Sequence, residues 1–430
     1  MPTPKTDNKW FSPVLLAATY GFALFFIQFF LQKAGLASNV PEQASLMRYD
    51  ANVYESIMQK GYEYPDERCN NTGCYILFPM FWRLLHLGAV GIGLVNIVLF
   101  AIGFGIVCRL YKTNTTEKIL WLATPSLYFM AVPYTEALFC VLCALSFYGI
   151  AANNRWLIWI SLFLMSLTRA TAIFLLPSLF IMELLANHKR SLLRVIRTYI
   201  VEFAFPVVLG LAVFVVIQYV QVGIWFAYFK QQIKYLGHEW AMPTLPFSNF
   251  FGEQRITWLS GLAMLVCVVA LMLLAGHIYR WVRKDEVVGD RVLTLTLTYL
   301  PVTLLCIIFC NPTWGSNTTN LLGLHRYTLG TPFIFVFLHY VAGGKRIYLP
   351  GHFIVMFFVC NIVWLSMGSY VHLQYWLFWN FVTLIVFAYM LFNNAPLQKR
   401  YEWIPLVLIA FNILVQVHLF QQYLSNQFTD

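Results

Sequence analysis

The sequence predicts an all-α integral membrane protein that crosses the bilayer many times, and three observations carry that prediction. Of its 430 residues, 60% are hydrophobic and only 11% charged, with a mean hydropathy of +0.67. Soluble domains carry about a quarter charged residues. Apolar runs of spanning length, or slightly shorter, recur from end to end, and no stretch is polar enough to make a soluble domain. Basic residues also collect in alternate connecting segments, as they do when topology sorts charge. The net charge of +10 therefore reflects topology rather than a nucleic-acid surface, and no nucleic-acid partner is expected.

The runs fall at 12–33, 84–108, 119–132, 134–151, 156–168, 170–186, 199–221, 257–279, 292–310, 327–342, 350–368, 373–392 and 403–424. They predict about 11–13 transmembrane helices in a single membrane domain over 1–430. The shortest, 119–132 and 156–168, suit half-spans or tilted helices wedged among neighbours. The first run is too long, and lacks the small-residue cleavage site, of a removed signal peptide, so it is expected to stay as an anchor. With the N-terminus inside, 18 of the 28 Lys and Arg residues lie on the inner side. The others, among them Arg48, Arg169 and Arg326, concentrate in outer segments.

Two outer loops are long, 34–83 and 222–256, and a third polar one covers 311–326; the inner loops are short and basic. Chemistry, if any, belongs outside. Each long loop contains an amphipathic helix. In the first, Val53, Tyr54, Ile57 and Met58 share a face, with Asp50 placed to cap the helix and Gly61 to end it. In the second, Phe226, Phe229, Ile233 and Leu236 form a stripe against Lys230, Gln231 and Lys234, ending near Gly237. Both suit the interface with the lipid bilayer. Cys69 and Cys74 flank Asn-Asn-Thr-Gly in the first loop; with no metal-spacing partners elsewhere, a disulfide in an oxidising compartment is expected rather than zinc. The remaining cysteines lie in apolar runs and suit packing.

Few acids face outside. Asp50 stands at a helix start among aromatic and apolar residues, where it can cap the helix, act as a base, or both. Glu136, in Pro133-Tyr134-Thr135-Glu136, suits either a dipole-favoured acid in a first helical turn or a site carboxylate. Arg169 lies between two apolar runs and costs about 2.5–3.5 kcal/mol there unless partnered, either by Glu136 or by an anionic lipid phosphate. His325-Arg326 offers a second cation at an outer helix start, which an interfacial solvated arginine would also explain. No P-loop, HExxH, glycine-rich dinucleotide motif or Asp-x-Asp pair is present. Nothing in the sequence calls for a metal or a cofactor. A donor already activated on a lipid is then the plausible energy source for chemistry outside.

Four blocks carry a resemblance. Arg48-Tyr49-Asp50 through Tyr54 to Lys60-Gly61-Tyr62, followed by Leu77-Phe78-Pro79, resembles the W-D…G-Y…F-F-P signature of PIG-V-type mannosyltransferases, of the GPI mannosyltransferase 2 family and its bacterial relatives. Pro133 to Phe139 resembles that family's Y-(S/T)-E-(S/A)-L-F segment, Thr168-Arg169 its T-R block, and His325-Arg326-Tyr327 a late R-Y element. Tyr49 replaces the usual Trp, and Ala172 stands where Gly is common. The resemblance implies a GT-C-like fold and an inverting glycosyltransferase. Its donor would be a polyprenyl- or dolichyl-phosphate sugar, usually mannose, and its acceptor a lipid-linked glycan or other glycolipid on the periplasmic or lumenal face. It implies Asp50 as catalytic base, Arg169 and Arg326 on the lipid phosphate, and Arg48, Tyr54, Tyr134, Glu136 and His325 at the substrate site. A bacterial inner membrane is the expected location, with the endoplasmic reticulum membrane as the other; outer sequons at Asn70 and Asn317 would matter only in a glycosylating cell. From a different class, a transporter or flippase for a lipid or sugar would also bury Arg and Glu along its path.

Overall fold

The computed structural model describes residues 11–65, 70–187, 191–248, 258–284, 289–310, 318–321, 323–342, 349–367, 380–387, 390 and 403–427. Among them the chain is helical, and its β pairing is an isolated bridge between Ser248 and Asn320. Six helices are long and apolar enough to cross a membrane: Ser12–Lys33, Ala89–Tyr111, Leu192–Val222, Leu259–Arg283, Arg291–Cys310 and Leu406–Leu424. The chain is thus a multi-pass membrane protein. Four shorter apolar helices, Arg155–Ser166, Ala170–Ala186, Pro332–Val341 and Pro350–Ser366, pack among them. Most of the expected segment 373–392 lies outside the described residues.

Three boundaries differ from expectation, each for a local reason. The run 84–108 starts late: helix Leu77–Leu85 stops at His86 in a left-handed conformation, and Ala89–Tyr111 begins after Gly88. The run 199–221 starts early, because Leu192–Tyr199 continues through a π-helical turn, Ile200–Ala204, into Phe205–Val222. Pro206 cannot donate a backbone hydrogen bond, and the wider turn directly before it absorbs that defect. The runs 119–132 and 134–151 join as a broken pair, in which the 3₁₀ segment Pro125–Ala131 meets Glu136–Ala152 at 105°.

That break positions the site, and polar residues inside apolar helices hold it. Asn96, fully buried in the middle of Ala89–Tyr111, donates to the carbonyls of Val132 at 2.6 Å and Tyr134 at 3.0 Å. Gln416 in the C-terminal helix donates to Leu122 and Thr124 and takes the hydroxyl of Tyr20. Each amide satisfies backbone groups that the break leaves open in a region without water. Close approach completes the fit. A Cβ on Gly93 would lie 2.8 Å from the carbonyl oxygen of Ala131, so this helix face needs glycine.

The two long loops are knitted together by glutamines. Gln218, fully buried, donates to Thr72 and accepts from the backbone of Tyr228; Gln221 accepts from Tyr62 at 2.7 Å. Gln231 and Gln232 donate to Asn70 and Gly73 in the 3₁₀ turn of the first loop. Helix Ala227–Leu236 is consequently turned over relative to a soluble amphipathic helix. Its buried residues include Ala227 and Gln231, while Phe226, Phe229 and Ile233 are exposed. An outward apolar stripe is stable where the surroundings are lipid. Gln218→Ala would strand the partners of two buried bonds, at about 1–3 kcal/mol each. A clear fall in melting temperature is expected, and an unchanged one would show that the knit carries no stability.

Orientation is testable on the same elements. Cysteines introduced at Lys234 should react with an impermeant thiol reagent applied from outside, and those at Arg194 and Arg283 should be protected. The reverse labelling would move the whole candidate site to the cytosolic side.

Candidate active site

Helix Asp50–Lys60 starts immediately after a strained residue. Tyr49 has φ 47° and ψ −119°, a backbone state costing a non-glycine residue roughly 1–3 kcal/mol. Tyr49, and not Asp50, occupies the N-cap position, and no side chain caps the helix. The expected capping role of Asp50 is therefore corrected: its carboxylate turns to an arginine. Gly61 ends the helix as expected, at φ 81°, its N–H donating to Ile57. The buried side is Ala51, Tyr54 and Ile57, so the packed face is rotated slightly from the one read in the sequence.

Asp50 Oδ2 accepts from Arg326 Nη2 at 2.9 Å, and Arg326 Nε donates to Glu136 Oε1 at 2.9 Å. The same Glu136 oxygen lies 2.9 Å from Arg169 Nη1, a charge contact whose N–H is out of line for a full hydrogen bond. Two carboxylates and two guanidiniums thus balance in one chain of contacts. Exposure drops from Asp50 (39%) through Arg326 (15%) to Glu136 (0%), with Arg169 (7%) beyond it. Burial opposes the charge on Arg326, but Glu136 and Asp50 outweigh it and push its pKa well above the usual arginine value.

Aromatic rings wall the chain. Arg326 lies 4.8 Å from the Tyr134 ring centre and 5.1 Å from that of Phe129; Arg169 lies 5.1 Å from Tyr327 and 5.8 Å from Phe139. Tyr54 meets Tyr134 and Phe78 edge-on, and burial is the main cause that drives its phenol pKa well above the ordinary value, so it stays protonated. The Tyr134 hydroxyl donates to the Arg48 carbonyl at 3.4 Å. Arg48 is half-buried, with its Nε sealed from solvent and unbonded, and it has no acid partner among the described residues. His325 is fully buried, its ring 5.9 Å from Phe129.

The expected site residues therefore gather in one place, with Asp50 at the surface and Glu136, Tyr134 and His325 sealed behind it. Asn96 and Tyr423 were not singled out from the sequence. A lone asparagine in an apolar helix is a readable signal. Tyr423, whose hydroxyl donates to Leu46 and whose ring faces Tyr134 and Tyr49, gives none. The pairing of Cys69 with Cys74 lies outside the described residues. No group of three or more His, Cys, Asp or Glu among the described residues could hold a metal ion.

Fold and site together define a multi-pass helical membrane protein with an acid–arginine chain opening from its buried core to its surface. Compared with known proteins, the chain matches no family model, no curated protein and no solved structure.

Proposed function

We propose that the chain is a membrane glycosyltransferase, of mannosyltransferase type, that moves a sugar from a polyprenyl- or dolichyl-phosphate donor to a lipid-linked glycan or other glycolipid on the outer face. One observation supports this above the rest. The four blocks that resemble PIG-V-type enzymes, far apart in sequence, contribute Asp50, Glu136, Arg169 and Arg326 to a single contact chain, whose outer link joins residues 276 positions apart. Among the described residues, six helices can span a membrane, or seven if the broken pair is one span, and with four shorter apolar helices beside them they are compatible with a GT-C-like architecture.

In the proposed reaction the acceptor O–H gives its proton to Asp50 as its oxygen attacks the anomeric carbon. The bond from that carbon to the phosphate oxygen breaks, and the electron pair leaves on the lipid phosphate, which Arg326 and Arg48 stabilise. Asp50 is the acid at the open end, whereas Glu136 is sealed and occupied by two arginines. One available carboxylate suits a single displacement with inversion. Arg169, expected on the phosphate, is 7% exposed and lies against Glu136, so in this proposal it acts with Glu136 through Arg326, by fixing where that guanidinium stands. The test is transfer from labelled polyprenyl-phosphate mannose to a glycolipid acceptor by the protein in nanodiscs. Absence of transfer, with the labelled donor instead crossing the bilayer of proteoliposomes intact, would replace this reading with the flippase.

A further inference from the structure

Away from the charged chain, a 420 Å³ pocket opens where the end of the first helix meets the end of the last. Gly35 to Ser38 form one wall, and His418, Gln421, Gln422, Ser425 and Gln427 the other. Its floor is a hydrogen-bonded seam between segments almost 400 residues apart: Ser38 Oγ meets Ser425 Oγ at 3.0 Å, and Asn39 donates to Ser425 at 3.2 Å. Above that seam, the side chains of His418, Gln422 and Gln427 make no hydrogen bond among the described residues, although amides and imidazoles are strong bonding groups. No carboxylate, lysine or arginine lines the pocket.

That chemistry selects a ligand. A concave wall of amides, hydroxyls and an imidazole, with no carboxylate, lysine or arginine, fits an uncharged molecule rich in hydroxyls better than a phosphate or an acyl chain. The volume is within the usual range for small ligands, about 300–1,000 Å³. Position links the pocket to the reaction. Gln422 directly precedes Tyr423, whose ring lies 5.7 Å from Tyr134 and 6.2 Å from Tyr49, so one segment of the last helix carries the pocket on one side and the wall of the charged chain on another. Tyr423 also ties this helix to the Asp50 loop through Leu46 at 2.9 Å.

We infer that this pocket is a glycan subsite: it holds a neutral sugar residue of the acceptor, next to the one that presents its hydroxyl to Asp50. The inference rests on the proposed glycosyl transfer for its role but not for its binding chemistry, and two measurements separate them. The first is saturation-transfer NMR of the protein in nanodiscs with mannobiose as the probe. Wild type should give a saturation-transfer signal, and Gln422→Trp, which fills the pocket with a ring, should lose it. Gln422→Ala with Gln427→Ala should weaken it about tenfold, the worth of roughly 1.4 kcal/mol of hydrogen bonding. No signal from wild type, or an equal signal from the filled pocket, overturns the subsite whatever the enzyme does.

The second is transfer kinetics. The double variant should raise the KM for the glycolipid acceptor about tenfold and leave that for the polyprenyl-phosphate sugar unchanged. An increase in donor KM instead would mean that the pocket takes the donor's sugar, and the acceptor assignment would fall. Mannobiose binding without any transfer would sink the transferase reading and leave the sugar site standing. These side chains have no partners to lose, so the variants should melt with wild type.

Discussion

Asp50→Asn should lower sugar transfer roughly 10²–10⁴-fold while leaving the fold intact. The amide keeps the shape of the carboxylate but cannot take the acceptor's proton. Stability should hardly move, because Asp50 is 39% exposed and Arg326 keeps its second partner, Glu136, at 2.9 Å. The helix start is also safe, since it draws no cap from Asp50. Transfer rate and melting temperature measured on one preparation decide the matter. Near-normal transfer by the variant would end the assignment of Asp50 as base.

Glu136→Gln should have the largest effect on stability. It removes the charge that holds two arginines in a region where side-chain exposure is 15% or less. Breaking a buried pair by removing one partner costs about 3–5 kcal/mol, because the other charge stays buried and uncompensated. Here one acid serves two cations, so the upper part of that range is expected. Arg169→Lys should also destabilise, since a lysine cannot reproduce the planar fork that lies against Glu136 and the Tyr327 ring. The two changes combined should cost less than their sum, as befits residues in contact. Melting curves in detergent test this. A Glu136→Gln protein as stable as wild type would mean that Glu136 does not hold the arginines. If Arg169→Lys stayed folded but lost donor affinity, Arg169 would be touching the phosphate itself.

Much of this was legible because membrane solvent leaves few choices. Hydropathy marked the helices, since every backbone group in lipid must bond within its own helix. Charges in such a setting need partners, and Arg169 beside Glu136 is one of the two pairings the sequence allowed. The bond from Arg326 to Asp50 could not be read, because no sequence spacing encodes a contact across 276 residues. The helix Ala227–Leu236 shows a different limit. Its periodicity gives the stripe, which is exposed; what periodicity does not give is Gln231, fully buried on the other side and donating to the first loop at Asn70. Tyr49 was unreadable for a third reason: a strained backbone is imposed by tertiary surroundings, which no local sequence pattern encodes.

Gln218 and Gln221 sit one turn apart near the end of a membrane helix, and both grip the loop that carries Asp50, through Thr72 and Tyr62. A helix whose apolar length exceeds the local bilayer tilts to fit it. Tilt of Leu192–Val222 would therefore be passed on by two amides to the chain just beyond Gly61, and so to the helix that presents the carboxylate. Catalysis should then follow lipid acyl length: reconstituted in bilayers of graded thickness, the protein should show an optimum, and Gln221→Ala should flatten it.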